Sequence, residues 1–118
     1  MNLKILSWNV RGLNDCQKRS IVKNLLHEWK CDVICLKETK LSSIDRQMVG
    51  NLWNCPFVDW VALNAVQTAG GILLMWDRGV LERTEILVGS FSVSVRWQGV
   101  GDGFSWACST VYGPIDFF

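Results

Sequence analysis

Two polar side chains of complementary chemistry stand where two predicted strands end. Asn9 lies near the end of the apolar run Leu3–Val10, just before a glycine-containing turn. Glu38 follows the apolar run Asp32–Leu36. Both runs are short and bounded by turn or charged residues, which is typical of buried strands. An amide beside a carboxylate suits a hard, oxygen-liganded cation such as Mg²⁺. The two residues are therefore a candidate metal site, provided that the fold brings them together.

Each of these residues also has an ordinary structural explanation. Asparagine before a glycine turn is commonly a turn former, and a glutamate flanked by lysines is commonly a solvated charge. Lys37 and Lys40 flank Glu38, so that one of them could meet a phosphate that shares the metal. Neither Asn9 nor Glu38 indicates a site when it is considered alone.

The segment between the two strands supplies the reason to pair them. From Asp15 the pattern predicts a helix, with charged residues on one face and apolar residues on the other: Ile21, Val22, Leu25, Leu26 and Trp29. Strand, helix and strand in this order form a βαβ unit with parallel strands. Parallel strands end at the same edge of a sheet, where open α/β sheets bind ligands. Asn9 and Glu38 are therefore expected to converge.

The chain after Glu38 predicts a second helix and then strands alone. Ser42 or Ser43 is the expected cap of the helix, whose apolar face is Ile44, Met48, Leu52 and Trp53. The strands that follow are Phe57–Leu63, Gly70–Trp76, Leu81–Val88, Phe91–Trp97 and Phe104–Tyr112. Without intervening helices they should pair as antiparallel neighbours, giving one mixed sheet with two helices on one face.

This arrangement leaves the other face of the sheet bare. The predicted strands carry four tryptophans that cannot all face the same two helices: Trp60, Trp76, Trp97 and Trp106. The chain is therefore expected to encode one half of a thicker structure. A bare apolar face could also dock onto a partner or a second copy, because large apolar patches are seldom left exposed.

Composition narrows the class of protein. The 118 residues carry 12 Lys and Arg against 11 Asp and Glu, which suits one domain and excludes a polybasic or acidic tail. The sequence has neither a membrane-spanning run nor a signal peptide. Its five cysteines predict free thiols in an intracellular compartment, nuclear or cytoplasmic. His27, Cys31 and Cys35 have helical spacing for a zinc site, but Cys31–Leu36 is typical of a strand, so these thiols are expected in the core.

Four segments in order resemble the endonuclease/exonuclease/phosphatase superfamily. They are Ser7–Asn14 (SWNVRGLN), Ile34–Leu41 (ICLKETKL), Ala69–Leu73 (AGGIL) and Val111–Pro114 (VYGP). The closest likeness is to the endonuclease domain of plant LINE-type retrotransposon polyproteins. The resemblance implies a four-layer α/β sandwich, of which residues 1–118 would be a single partial domain, the N-terminal half.

The resemblance also implies Mg²⁺-dependent hydrolysis of DNA phosphodiesters, with Mn²⁺ as a possible substitute. Glu38 would be the metal ligand, Asn9 would orient the metal-ligand network or the phosphate, and Tyr112 would hydrogen-bond the scissile phosphate. Lys37 departs from the family pattern, which has glutamine there. The family's later Gly-Asp-Phe-Asn-like and Ser-Asp-His segments have no counterpart before Phe118. Weak metal binding and no activity of this chain alone are therefore expected.

Two other functions are compatible with the sequence. One is a non-catalytic binding or assembly module derived from the same fold. The other is a phosphatase of the same superfamily that acts on a phosphoinositide or a nucleotide, which the net charge of +1 permits. DNA is favoured as the substrate because the motif sequences are most similar to those of the retrotransposon branch, which is an argument by analogy.

Overall fold

The computed structural model describes residues 3–65 and 70–111. Within these ranges the chain forms seven strands and two helices. In chain order they are β1 (Ile5–Asn9), α1 (Cys16–Trp29), β2 (Val33–Lys37), α2 (Arg46–Leu52), β3 (Val58–Leu63), β4 (Ile72–Asp77), β5 (Leu81–Val88), β6 (Ser92–Gly99) and β7 (Ser105–Val111). The element types and their order are those that the sequence predicts.

The first sheet contains the strands that carry the candidate site. Its four strands lie in the order β1-β2-β4-β3. β1 and β2 are parallel, with Asn9 opposite Lys37, whereas β4 runs antiparallel to both β2 and β3. The predicted βαβ unit is confirmed, and β1 and β2 end at the same edge.

The last three strands form a separate antiparallel sheet in the order β5-β6-β7. The expectation of one mixed sheet is therefore wrong. The chain leaves the first sheet at the end of β4, where a tight turn is closed by the Val80 N–H donating to the Asp77 carbonyl at 3.0 Å. β5 starts directly after this turn and pairs with β6 instead of its chain neighbour β4, because both edges of β4 are already paired, with β2 and β3.

The two sheets and the helices make three layers around two apolar cores. On β2, Ile34 and Leu36 belong to the core under the helices, while Val33 and Cys35 belong to the core between the sheets. Alternation along a strand sends successive side chains to opposite faces, so the central strands of the first sheet, β2 and β4, are buried on both faces. The face expected to be bare is covered by the second sheet and is not a docking surface.

The tryptophan excess is explained by this second core. Trp76 of β4 and Trp97 of β6 are buried between the sheets, with ring centroids 5.6 Å apart in an edge-to-face arrangement. Trp60 instead packs against the helix-side core, and Trp106 packs against the inter-sheet core. The prediction that the four rings serve different faces is confirmed.

Helix α1 buries a narrower stripe than its pattern indicates. Asp15 caps the helix, its Oδ1 accepting from the Gln17 N–H at 2.9 Å. Val22 and Leu26 are buried, whereas Ile21 and Trp29, which were assigned to the same face, are exposed. Ile21 lies at the margin of the stripe, whereas Trp29 is the last residue of the helix, with its ring centroid 5.9 Å from that of Trp8.

Asp45 caps α2, not Ser42 or Ser43: its Oδ1 accepts from the Met48 N–H at 2.9 Å. Leu41 is buried and Ile44 packs against the same core, which keeps the serines in an exposed connection before the helix.

We expect Asp45→Ala to lower the free energy of unfolding by about 1 kcal/mol, because the α2 N-terminus would lose a capping acceptor. Ser43→Ala is the matched control and should change it by less than about 0.5 kcal/mol. Urea unfolding followed by tryptophan fluorescence measures both. A larger loss from Ser43→Ala would contradict the assigned cap.

The cysteines are free thiols, as predicted. Cys35 is buried on β2, while Cys31 follows α1 and His27 lies on that helix, so the three residues occupy different elements. Burial raises the pKa of the Cys35 thiol, although its hydrogen bond to Thr110 opposes the shift. Neither helix within the described ranges is long and apolar enough to cross a membrane.

Candidate active site

The site lies on the edge of the first sheet where β1 and β2 end; this edge, residues 9–14 and 37–41, is called the rim below. Backbone hydrogen bonds tie its two loops together. The Gly12 N–H donates to the Glu38 carbonyl at 2.7 Å, and the Leu13 N–H donates to the Thr39 carbonyl at 2.8 Å. The parallel pairing of the strands thus continues into the loops and fixes one loop relative to the other.

Asn9 and Glu38, 29 residues apart in sequence, are in direct contact. The Asn9 Nδ2 donates a hydrogen bond to Glu38 Oε2. The Asn9 Oδ1 accepts from the Arg11 backbone N–H at 3.1 Å. The expected convergence is confirmed. In this arrangement Asn9 presents its amide N–H to the carboxylate and its amide oxygen to the Arg11 backbone.

The rim backbone is held in an unusual conformation. Arg11, Glu38 and Lys40 have positive φ angles of 54°, 55° and 57°, in the left-handed region that non-glycine residues seldom adopt. Such a conformation persists only where the surroundings fix it, and it is concentrated at functional sites. At Glu38 it turns the side chain toward Asn9 while the backbone carbonyl still bonds Gly12.

Thr39 and Gly71 form the support beneath Glu38, and sequence reasoning missed this role. Thr39 is fully buried, and its N–H donates to the Gly71 carbonyl at 3.2 Å. Gly71 has φ +100°, and a Cβ there would overlap Thr39 Oγ1 and lie 3.1 Å from the Lys40 nitrogen. The sequence signal was present in the Gly-Gly pair before β4 and in a threonine set between charged residues.

The rim charge favours an anion. The two loops carry three cations, Arg11, Lys37 and Lys40, and one carboxylate, that of Glu38. Lys40 also packs its side-chain stem near Gly12, its Cδ lying 3.6 Å from the position of a Cβ there. A phosphate at the rim would meet these cations, which are well suited to bind it.

The rim fits a divalent cation only in part. Among residues 3–65 and 70–111, no three His, Cys, Asp or Glu side chains are grouped so that they could hold a metal ion. Mg²⁺ in proteins is often held by one or two carboxylates together with waters and substrate phosphates. Glu38 can supply one such carboxylate. Tyr112, the third predicted site residue, lies outside the described residues.

Sequence comparison defines the family. The model of the endonuclease/exonuclease/phosphatase family matches residues 6–112, a span that contains the whole rim. The chain belongs to this family. Members of the family generally use divalent metal ions. Comparison with curated protein sequences gives no match.

Several solved structures share the fold. An AP endonuclease, LMAP, from Leishmania major matches with a TM-score of 0.68 and 20% identity, over 93% of this chain and 40% of that one. A 3′ phosphatase, NExo, from Neisseria, bound to a product DNA hairpin, gives 0.59 and 23%, over 94% and 41%. TDP2 from D. rerio, complexed with a single-stranded DNA product, gives 0.58 and 18%, over 97% and 48%. This chain therefore spans less than half the length of these structures.

Proposed function

We propose that this chain carries the Asn9–Glu38 part of a divalent-metal-dependent phosphodiesterase site that acts on DNA. The observation that carries the proposal is the contact between the Asn9 amide and the Glu38 carboxylate at the strand-end rim. A carboxylate oriented by a neutral donor can hold a metal ion that is shared with a phosphate, and the cations of the rim can bind the same phosphate.

The rim residues take distinct roles in this proposal. Glu38 holds Mg²⁺, or Mn²⁺ in its place, and Asn9 fixes the direction of the carboxylate. When bound, the ion neutralises charge on the phosphate oxygens during attack by water. Lys37, Lys40 and Arg11 attract and position the DNA backbone. Tyr112 hydrogen-bonds the scissile phosphate, as the family resemblance implies.

DNA is the proposed substrate because two of the similar structures, the 3′ phosphatase NExo and TDP2, were solved with DNA products. We propose the retrotransposon-endonuclease type from the amino-acid sequences of the motifs around Asn9 and Glu38. The free thiols are typical of a reducing compartment, so we propose that the protein acts inside the cell, where its DNA substrate would be.

We further propose that residues 1–118 are one partial domain and that the site is completed by residues outside them. Glu38 is the one carboxylate of the described rim loops, and a single carboxylate binds Mg²⁺ weakly. The described part of the chain also groups no three His, Cys, Asp or Glu side chains that could hold a metal ion, and we propose that the group that deprotonates water comes from outside residues 1–118.

Plasmid nicking tests this proposal. With Mg²⁺ or Mn²⁺, we expect this chain to convert supercoiled plasmid to nicked circles no faster than the Glu38→Ala variant does. Metal-dependent nicking that Glu38→Ala abolishes would show that residues 1–118 suffice and would contradict the partial-site proposal. Release of inorganic phosphate from a 3′-phosphorylated oligonucleotide, without nicking, would instead favour the phosphatase alternative.

A further inference from the structure

The turn between β5 and β6 exposes an apolar cluster that the proposed active site does not use. Leu87, Val88 and Phe91 are 61%, 50% and 61% exposed, and the Gly89 N–H closes the turn by donating to the Ser92 carbonyl at 2.8 Å. We call residues 87–91 the hairpin tip. Exposed aliphatic and aromatic side chains grouped in this way commonly mark a contact surface.

The middle of the outer face of the second sheet is polar. Ser94 and Ser109 share a hydrogen bond of 2.7 Å between their hydroxyl groups. Arg96 Nε lies 3.2 Å from Glu85 Oε1, and both side chains are exposed. Exposed apolar side chains therefore lie at the ends of this sheet: the hairpin tip at one end, and Val100 and Phe104 at the other.

Contacts between the sheets show which end this is. The Cys35 Sγ of β2 lies 3.1 Å from the Thr110 Oγ1 of β7. Thr110 is opposite Val93 on β6, and Val93 is opposite Val88 on β5. A line across the second sheet thus joins the base of the hairpin tip to Cys35, three residues and about 10 Å along the chain from Glu38.

The other end of the second sheet is fixed at the start of β2. The Val100 N–H donates to the Val80 carbonyl at 2.9 Å, and the Asp77 N–H donates to the Asp32 carbonyl at 3.1 Å. The beginning of β5 therefore lies beside Asp32, at the end of the molecule opposite Glu38. Because both ends of the sheet are fixed, the hairpin tip lies on the same side of the molecule as the rim.

We propose that the hairpin tip, through Phe91, contacts the bases of a DNA strand whose phosphates lie on the cationic rim. This inference rests on the proposed function and adds a base-contacting element to it. A nucleic acid presents anionic phosphates and flat apolar bases side by side, which matches the cations of the rim and the apolar hairpin tip. An aromatic side chain can stack on any base, so that such a contact needs no particular sequence.

Binding of a fluorescein-labelled, 12-nucleotide single-stranded DNA, followed by fluorescence anisotropy, tests the inference. Phe91→Ala should raise the Kd about fivefold or more. Phe104→Ala is the matched control, because Phe104 is 62% exposed and lies at the opposite end of the same sheet; it should leave the Kd unchanged within about twofold. Repeating the titration over a salt series separates the two kinds of contact: Phe91→Ala should keep the salt slope, whereas Lys40→Ala should reduce it by about 1.

The outcomes separate this inference from the proposed function. Equal Kd values for the wild-type and Phe91→Ala proteins would overturn the base contact and leave the proposed DNA partner standing. A wild-type protein that does not bind the oligonucleotide would overturn both. Sedimentation without DNA tests whether the hairpin tip instead contacts a second copy of this chain. A wild-type protein that is a dimer, and that becomes a monomer with Phe91→Ala, would overturn the inference.

Discussion

Replacing Glu38 with glutamine is expected to abolish saturable binding of Mn²⁺ by this protein. The wild-type protein should bind the ion with a Kd of about 1 mM, as expected for a site with one carboxylate and weak charge. Glutamine keeps the length of the side chain and can still accept the Asn9 hydrogen bond, so the variant removes the negative charge while preserving the rim. The electron paramagnetic resonance signal of free Mn²⁺ measures binding up to about 10 mM.

Glu28→Gln provides the control for Glu38→Gln. Glu28 is an exposed carboxylate on α1, away from the strand ends, and its loss changes the net charge of the protein by the same amount. The Mn²⁺ affinity of Glu28→Gln should equal that of the wild-type protein. A weak site that survives in Glu38→Gln, or that is lost in Glu28→Gln, would show that the ion binds elsewhere.

Gly71→Ala is expected to lower the free energy of unfolding by about 2–5 kcal/mol. Two effects combine: alanine is strained at the positive φ of this residue, at about 1–2 kcal/mol, and its Cβ would overlap the buried Thr39 hydroxyl, a form of overpacking that costs about 1–3 kcal/mol. The Cβ would also press on the Lys40 backbone nitrogen. Urea unfolding followed by tryptophan fluorescence measures the loss.

Two further variants show whether this cost arises from the predicted contact. Gly50 lies in α2 with no atom within 4 Å of an added Cβ, so Gly50→Ala should stabilise the protein by up to about 1 kcal/mol. Thr39→Ala removes the hydroxyl that Gly71→Ala would meet. In the double variant the two losses should be less than additive, by about 0.5 kcal/mol or more. Full additivity, or a loss below about 0.5 kcal/mol for Gly71→Ala alone, would contradict the close approach of Gly71 and Thr39.

The part of the fold that positions Glu38 could be predicted because its signals are local. Two short apolar runs separated by an amphipathic segment predict parallel strands with a helical crossover, and parallel strands must end at one edge. The meeting of Asn9 and Glu38 follows from this topology alone. The hydrogen bond between them confirms the placement, while their chemical roles stay predictions.

The division into two sheets could not be predicted in the same way, because strand periodicity does not say which strand pairs with which. Order along the chain suggested neighbours, yet β4 inserts between β2 and β3 and β5 begins another sheet. One clue was available. The five residues Ile72–Trp76 are all buried, and a continuous apolar run of this kind indicates a strand covered on both faces.

The supports of the rim were hidden for a different reason. The sequence shows a threonine between Glu38 and Lys40, a setting typical of an exposed loop, but Thr39 is buried because Gly70 and Gly71 approach it from the neighbouring connection. Close approach between segments distant in sequence depends on the completed fold. The cap of α2 is similar: serine and aspartate are both good caps, and only the packing of Leu41 and Ile44 selects Asp45.

Nuclear magnetic resonance with Mn²⁺ tests the central claim, a cation site at the rim, most directly. Small additions of Mn²⁺ to ¹⁵N-labelled protein broaden the amide signals nearest the bound ion. Broadening is expected to begin at residues 9–12 and 37–40 in the wild-type protein and to disappear in Glu38→Gln. Broadening that begins elsewhere, such as at Asp45 on the helical side, or that persists at the rim in Glu38→Gln, would contradict the central claim.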